Sequence, residues 1–189
     1  MDWSNLFIDS SSDLPYTHCH LCGTPVQGQS YALMKHFRRY PNQDMVVADL
    51  EAVICRKCQL NMASSISESS RQNLQAFMQQ AFDLEKRKAA LLSEEQPAGL
   101  EAWLERCAVT HKEVDACLEF QVECHMRDGY PLFDLEYAMS PMCLSGEALE
   151  QMQHCLSKET KDNYDRFMDQ LTDLPPDLVE WFKSRPVLV

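Results

Sequence analysis

Four cysteines in two pairs, Cys19 with Cys22 in the string CHLCG and Cys55 with Cys58 in CRKCQ, carry the clearest chemistry in the sequence. A Cys-x-x-Cys turn aims two thiolates at one point, and two such turns supply the four soft donors that tetrahedral zinc prefers. Four thiolates leave no position open for water or substrate, so the spacing predicts one structural zinc per chain. Iron would use the same ligands, a redox dithiol would use one pair, and the spacing does not separate these from zinc. Arg56 and Lys57, between the second pair, add positive charge beside the thiolates. His18 and His20 flank Cys19 and read as exposed turn residues where four thiols already complete the shell.

The elements that must position these thiols can be read from their neighbours. Gly23 follows the second Cys, where a knuckle turn needs positive φ and glycine adopts it without steric cost. Ser30 to Phe37 and Met45 to Ile54 are rich in β-branched, aromatic and aliphatic residues and are separated by the turn signal Tyr40-Pro41-Asn42, which predicts a β-hairpin. Gln59 to Ser65 can then begin a helix. Knuckle, hairpin and a helix carrying the last ligand pair resemble the treble-clef group of zinc fingers over residues 19–65, with a zinc ribbon as the nearest alternative. The resemblance implies a metal site and a shape. That group includes adaptors, ribosomal proteins, nucleic-acid binders and some nucleases, so it says little about activity.

Downstream, Ser67 is a candidate N-cap, and Leu74, Phe77, Met78, Ala81, Phe82, Ala89 and Leu92 mark one apolar face, predicting a single long helix. Glu94 to Gly99, with Pro97, breaks the pattern, and Leu100, Trp103 and Leu104 resume it briefly.

The chain also matches itself. Asp49 to Cys58 aligns with Asp134 to Cys143 without a gap, with four identities, and the eighteen residues from Ser67 align with those from Ser157 with seven, including Phe77-Met78 against Phe167-Met168. Five extra residues then fall within Gly146 to Leu156, and Cys107 to His111 stand opposite Cys19 to Gly23. The expected fold is therefore α+β and helix-rich, a tandem of pseudo-symmetric treble-clef-like units: an arm over 1–18, a zinc-binding unit over 19–94 and a metal-free one over 95–189. In this register the second site reads Cys107, Thr110, Ser140 and Cys143, and hydroxyls are poor zinc ligands. Its two thiols could be buried and inert, form a redox-sensitive pair, or join His111 or His125 in a rearranged site. Cys117, Cys124 and Cys155 have no paired spacing.

A chain of 189 residues with 45% hydrophobic and 24% charged residues fits an ordinary globular protein. No stretch of about 20 apolar residues is present to span a bilayer and the N-terminus lacks the pattern of an export signal, so a cytoplasmic location and metal-bound rather than disulfide-bonded cysteines are expected. The net charge of -12 disfavours nucleic acid and anionic membrane, although residues 17–66 carry five basic against three acidic residues and residues 101–174 six against sixteen. Lys35, Arg38, Arg39 and Tyr40 form a basic, aromatic hairpin tip that could contact nucleic acid. No Gly-rich phosphate loop or nucleophile–base pair is legible, and catalysis is not expected. The sequence favours a zinc-stabilised interaction protein, adaptor or regulator, with a protein partner or a second copy of itself. A nucleic-acid-binding regulator and a thiol redox sensor using Cys107 and Cys143 are the alternatives.

Overall fold

The computed structural model describes residues 3, 5–92, 98–136, 139–169, 176 and 180. Most of the break expected at Glu94 to Gly99, Tyr137 and Ala138 of the matched block, the side chains of Phe167 and Met168, and nearly all of the chain beyond Asp169 lie outside the described residues.

The expected hairpin forms from β1 (Ser30–Tyr40) and β2 (Met45–Cys55), with Tyr31 opposite Cys55 and Tyr40 opposite Met45. A 3-10 turn over Pro41–Gln43 joins them, started by the fixed φ of proline and ended by Asp44 at φ 47°. Helix α1 (Arg56–Ser64) follows at once, so that Cys55 is both the last strand residue and the helix N-cap. Ser67 caps α2 (Glu68–Ala81) by accepting the Ser70 N–H.

The single long helix expected to continue to Leu92 is instead two helices. Phe82 leaves helical geometry at φ -102°, ψ 102°, and the Asp83 carboxylate accepts the Lys86 N–H to start α3 (Leu84–Leu91). The apolar period runs through this point, but an aspartate that can cap a new helix offers the backbone a competing partner. Helix α4 (Leu100–Leu104) is the short one expected. There follow β3 (Glu119–Arg127), β4 (Tyr130–Leu132), β5 (Met142–Ser145), α5 (Gly146–His154) and α6 (Lys158–Asp169).

The five strands among the described residues join one antiparallel sheet, in the order β2-β1-β3-β4 with β5 also on β3. The described residues thus form a mixed α/β fold with six α-helices. The β1–β3 pairing, with Tyr31 opposite Met126, Met34 opposite Glu123 and Phe37 opposite Phe120, runs the sheet across the expected boundary at residues 94–95. The helices also cross it. Leu74, Phe77 and Met78 of α2 pack with Cys107, Leu144, Ala148 and Met152, whereas Tyr164 of α6 packs with Cys19, Ile54, Cys58 and Met62. Each half lays a helix on the other's core.

The starts of these two helices interlock. The Ser67 N–H donates to Thr160 Oγ1 at 2.8 Å and the Ser157 N–H donates to Ser70 Oγ at 2.8 Å. Asn73 Nδ2 donates to the Cys155 carbonyl at 3.2 Å, and Asn163 Nδ2 donates to the Ser65 carbonyl at 3.1 Å. Ser70 and Thr160 are fully buried, so these bonds supply partners to polar groups that water cannot reach. Trp3 and Leu6 of the N-terminal arm are buried in a third cluster, with Trp3 edge-on to Phe37 and Phe120.

Candidate metal centre

Backbone bonds build the first thiol pair before any metal is considered. The Gly23 N–H donates to the Cys19 carbonyl at 2.9 Å and the Cys19 N–H to the Thr24 carbonyl at 2.8 Å, with Gly23 at φ 66°. The second pair spans the β2–α1 junction, Cys55 as N-cap and Cys58 in the first helical turn. The two turns are tied together by the His20 N–H, which donates to the Val53 carbonyl at 2.8 Å, and by the Cys55 N–H, which donates to Cys19 Sγ at 3.3 Å.

All four sulfurs consequently lie within 4.8 Å of one another, with Cys22 and Cys55 at 3.7 Å. A tetrahedron with metal–sulfur bonds of about 2.3 Å has edges of about 3.8 Å, whereas a disulfide needs about 2.05 Å. The nine cysteines are free thiols, and these four can hold a metal ion.

The surroundings bury most of the cluster and divide its thiols by how readily they ionise. Cys19, Cys55 and Cys58 are buried and Cys22 is exposed. Burial pushes the Cys19 thiol up, and burial with the neighbouring Cys19 charge does the same to Cys58. Burial opposes ionisation of Cys22 too, but hydrogen bonds from Thr24, Cys58 and Cys19 outweigh it and bring that thiol down to about 6. A divalent cation is what allows all four to ionise together. The first turn of α1 holds Arg56 and Lys57 and no acid, the reverse of the usual preference at a helix N-terminus. Four thiolates around a divalent cation retain two negative charges, which this reversal offsets. His18 Nδ1 lies 2.9 Å from Thr17 Oγ1, and His20 Nδ1 accepts weakly from the Val53 N–H at 3.4 Å. Neither histidine joins the cluster.

The same backbone bonds recur around Cys107. The His111 N–H donates to the Cys107 carbonyl at 3.0 Å, the Cys107 N–H to the Lys112 carbonyl at 2.9 Å and the Ala108 N–H to the Cys143 carbonyl at 2.8 Å, with His111 at φ 58° where Gly23 stood. The Ser145 N–H donates to Cys107 Sγ at 3.2 Å, as Cys55 does to Cys19. Thr110 Oγ1 lies 3.2 Å from Ser145 Oγ, and Ser145 is the N-cap of α5 as Cys55 is of α1. Of the four residues expected there, Cys107 and Thr110 are brought together. Ser140 is elsewhere, its hydroxyl donating to the Leu132 carbonyl and accepting the His125 N–H.

Cys143 neighbours Cys107 through a backbone bridge but takes the strand position of Val53. Burial pushes its thiol well above the ordinary value, whereas hydrogen bonds from Ser145 and Thr110 overcome burial and lower that of Cys107. Ser145 and Ala148 were missed in the sequence. The spacing between Ser67 and Ser157 holds back through Met62 and Met152 to Cys55 and Ser145, so the extra residues lie before β5 and not within α5.

The basic residues of the run pair with acids of the same chain. Lys35, 2% exposed, donates from Nζ to the Ile8 carbonyl at 2.6 Å and pairs with Glu51 at 2.8 Å. Arg38 pairs with Glu119 at 3.2 Å and Asp49 at 3.5 Å, and Arg39 pairs with Asp115 at 3.1 Å. Tyr40 is 38% exposed. No helix among the described residues is long and apolar enough to cross a membrane.

Comparison with models of known families, with curated proteins and with solved structures finds no match to this chain.

Proposed function

We propose that the chain is a zinc-stabilised interaction protein, an adaptor or regulator without catalytic activity, built from two copies of a treble-clef-like unit of which the first holds one zinc. The observation that carries this reading is the closed set of four thiols, three of them buried, all within 4.8 Å of one another. A metal so enclosed holds a fold and presents no open position to a substrate. Zinc suits an all-thiolate tetrahedron first among the common divalent ions.

The duplication is supported by reciprocal bonds. Exchanging β1 with β3 turns the pair Tyr31–Met126 into Phe120–Phe37 and leaves Met34 opposite Glu123. The same exchange turns the Ser67–Thr160 bond into Ser157–Ser70 and Asn73–Cys155 into Asn163–Ser65. A protein partner or a second copy would meet the outer helical faces. The ion pairs of Lys35, Arg38 and Arg39 leave little free charge at the hairpin for nucleic acid.

Metal analysis of the purified protein tests the zinc reading: one zinc per chain and no visible absorption are expected, and the colour of an iron–thiolate site would overturn it. Cross-linking in the native cell should recover a protein partner or a second copy. A turnover that stops when the metal is removed from a still-folded chain would overturn the non-catalytic role.

A further inference from the structure

Resting on the reading of the first cluster as a zinc site, we infer that the second half keeps the complete backbone of a zinc site, at Cys107, Thr110, Ser145 and Ala148, with hydrogen bonds standing where the metal–sulfur bonds would be. Each position has its counterpart by bonding rather than by sequence identity. Cys107 receives the N–H of the helix-capping residue as Cys19 does. Thr110 meets Ser145 across 3.2 Å as Cys22 meets Cys55 across 3.7 Å. Ala148 stands three residues into α5 as Cys58 stands three residues after Cys55, and is fully buried.

What replaces the ion is visible. Cys107 Sγ accepts the Thr110 and Ser145 N–H groups at 3.3 and 3.2 Å, and Ser145 Oγ accepts the Ala148 N–H at 3.2 Å. The charges around the two sites differ in the same sense. Where Arg56 and Lys57 follow Cys55, Gly146 and Glu147 follow Ser145, and Glu147 pairs with Lys112 at 2.8 Å. An acid in the first helical turn is favourable without a metal and unfavourable beside four thiolates.

The class of ligand is therefore a thiophilic divalent cation, admitted once thiols are restored. The variant Thr110→Cys, Ser145→Cys, Ala148→Cys should carry two zinc ions per chain against one in the native protein, and cobalt substitution should double the sulfur-to-cobalt charge-transfer absorption. The second ion should leave first on chelation, because Glu147 repels the thiolates that would hold it. Adding Cys107→Ser should return the count to one. The register of four sequence identities makes the opposite choice, and Thr110→Cys with Ser140→Cys should gain no ion.

A folded triple variant that holds one zinc, or a Thr110→Cys, Ser140→Cys variant that holds two, would overturn the assignment. Should the triple variant fail to fold, Thr110→Cys with Ser145→Cys supplies three thiols and should take up one extra cobalt with a water-completed tetrahedral spectrum. Failure of that uptake also overturns it. The native zinc count reports separately on the first site.

Discussion

Around Cys19 and around Cys107 the chain makes the same turn, the same bond to the strand that leads into the helix and the same junction into that helix. One place gathers four sulfurs, the other a sulfur, two hydroxyls and a methyl. The difference teaches that the backbone of a knuckle and a strand–helix junction is stable with either filling, provided its buried groups find partners. It also separates what holds each half together. In the first, soft donors and nearby cations suit a metal. In the second, hydrogen bonds and the apolar packing of Leu74, Leu144 and Met152 stand in the corresponding place.

The contrast breaks most visibly at the ligands. Cys58→Ser should release the zinc and remove a large part of a contribution on the order of 10 kcal/mol, whereas Cys107→Ser should keep the zinc and cost about 1–3 kcal/mol. Thermal unfolding with and without chelator compares them, and equal losses would show that the halves do not differ as described.

The next effect lies where β1 crosses β3, with Met34 facing Glu123. Burial raises the Glu123 carboxyl from 4.5 to about 7, against the hydrogen bond from Gln121. A raised acid is protonated in both states below its unfolded value, so its penalty is absent there, grows as pH rises from 4.5 to 7, and is constant above. Glu123→Gln should therefore change little at pH 4 and stabilise the protein by about 2–3 kcal/mol at pH 8, measured by urea unfolding at both. A pH-independent difference would assign Glu123 a different environment.

The smallest effect tests the reciprocity itself. Ser70→Ala and Thr160→Ala each leave a helix-start N–H without its partner, and their shared 2.7 Å bond should appear in a double-mutant cycle as a coupling of about 1 kcal/mol. Additive losses would mean that the two helix starts are held independently.

The hairpin, the Ser67 cap and the four thiols were legible because each depends on neighbours in sequence: a turn residue, a capping hydroxyl, a Cys-x-x-Cys spacing. The break at Asp83 was not, since apolar periodicity continues through it and only the local competition for backbone donors ends the helix. The second site was misplaced for a related reason. Four identities from Asp134 to Cys143 drew the alignment into one register, while the strand that carries the site reaches Ser145 before it turns into a helix.

The sequence by itself determined which four thiols can hold a metal ion and most element types, because these follow from donor chemistry and local backbone preference. Only the tertiary structure decided that α2 and α6 exchange places and that Ser145, not Ser140, stands opposite Thr110. Both depend on which strand register buries the apolar side chains and pairs the helix-start donors, and those partners lie about ninety residues apart in the chain.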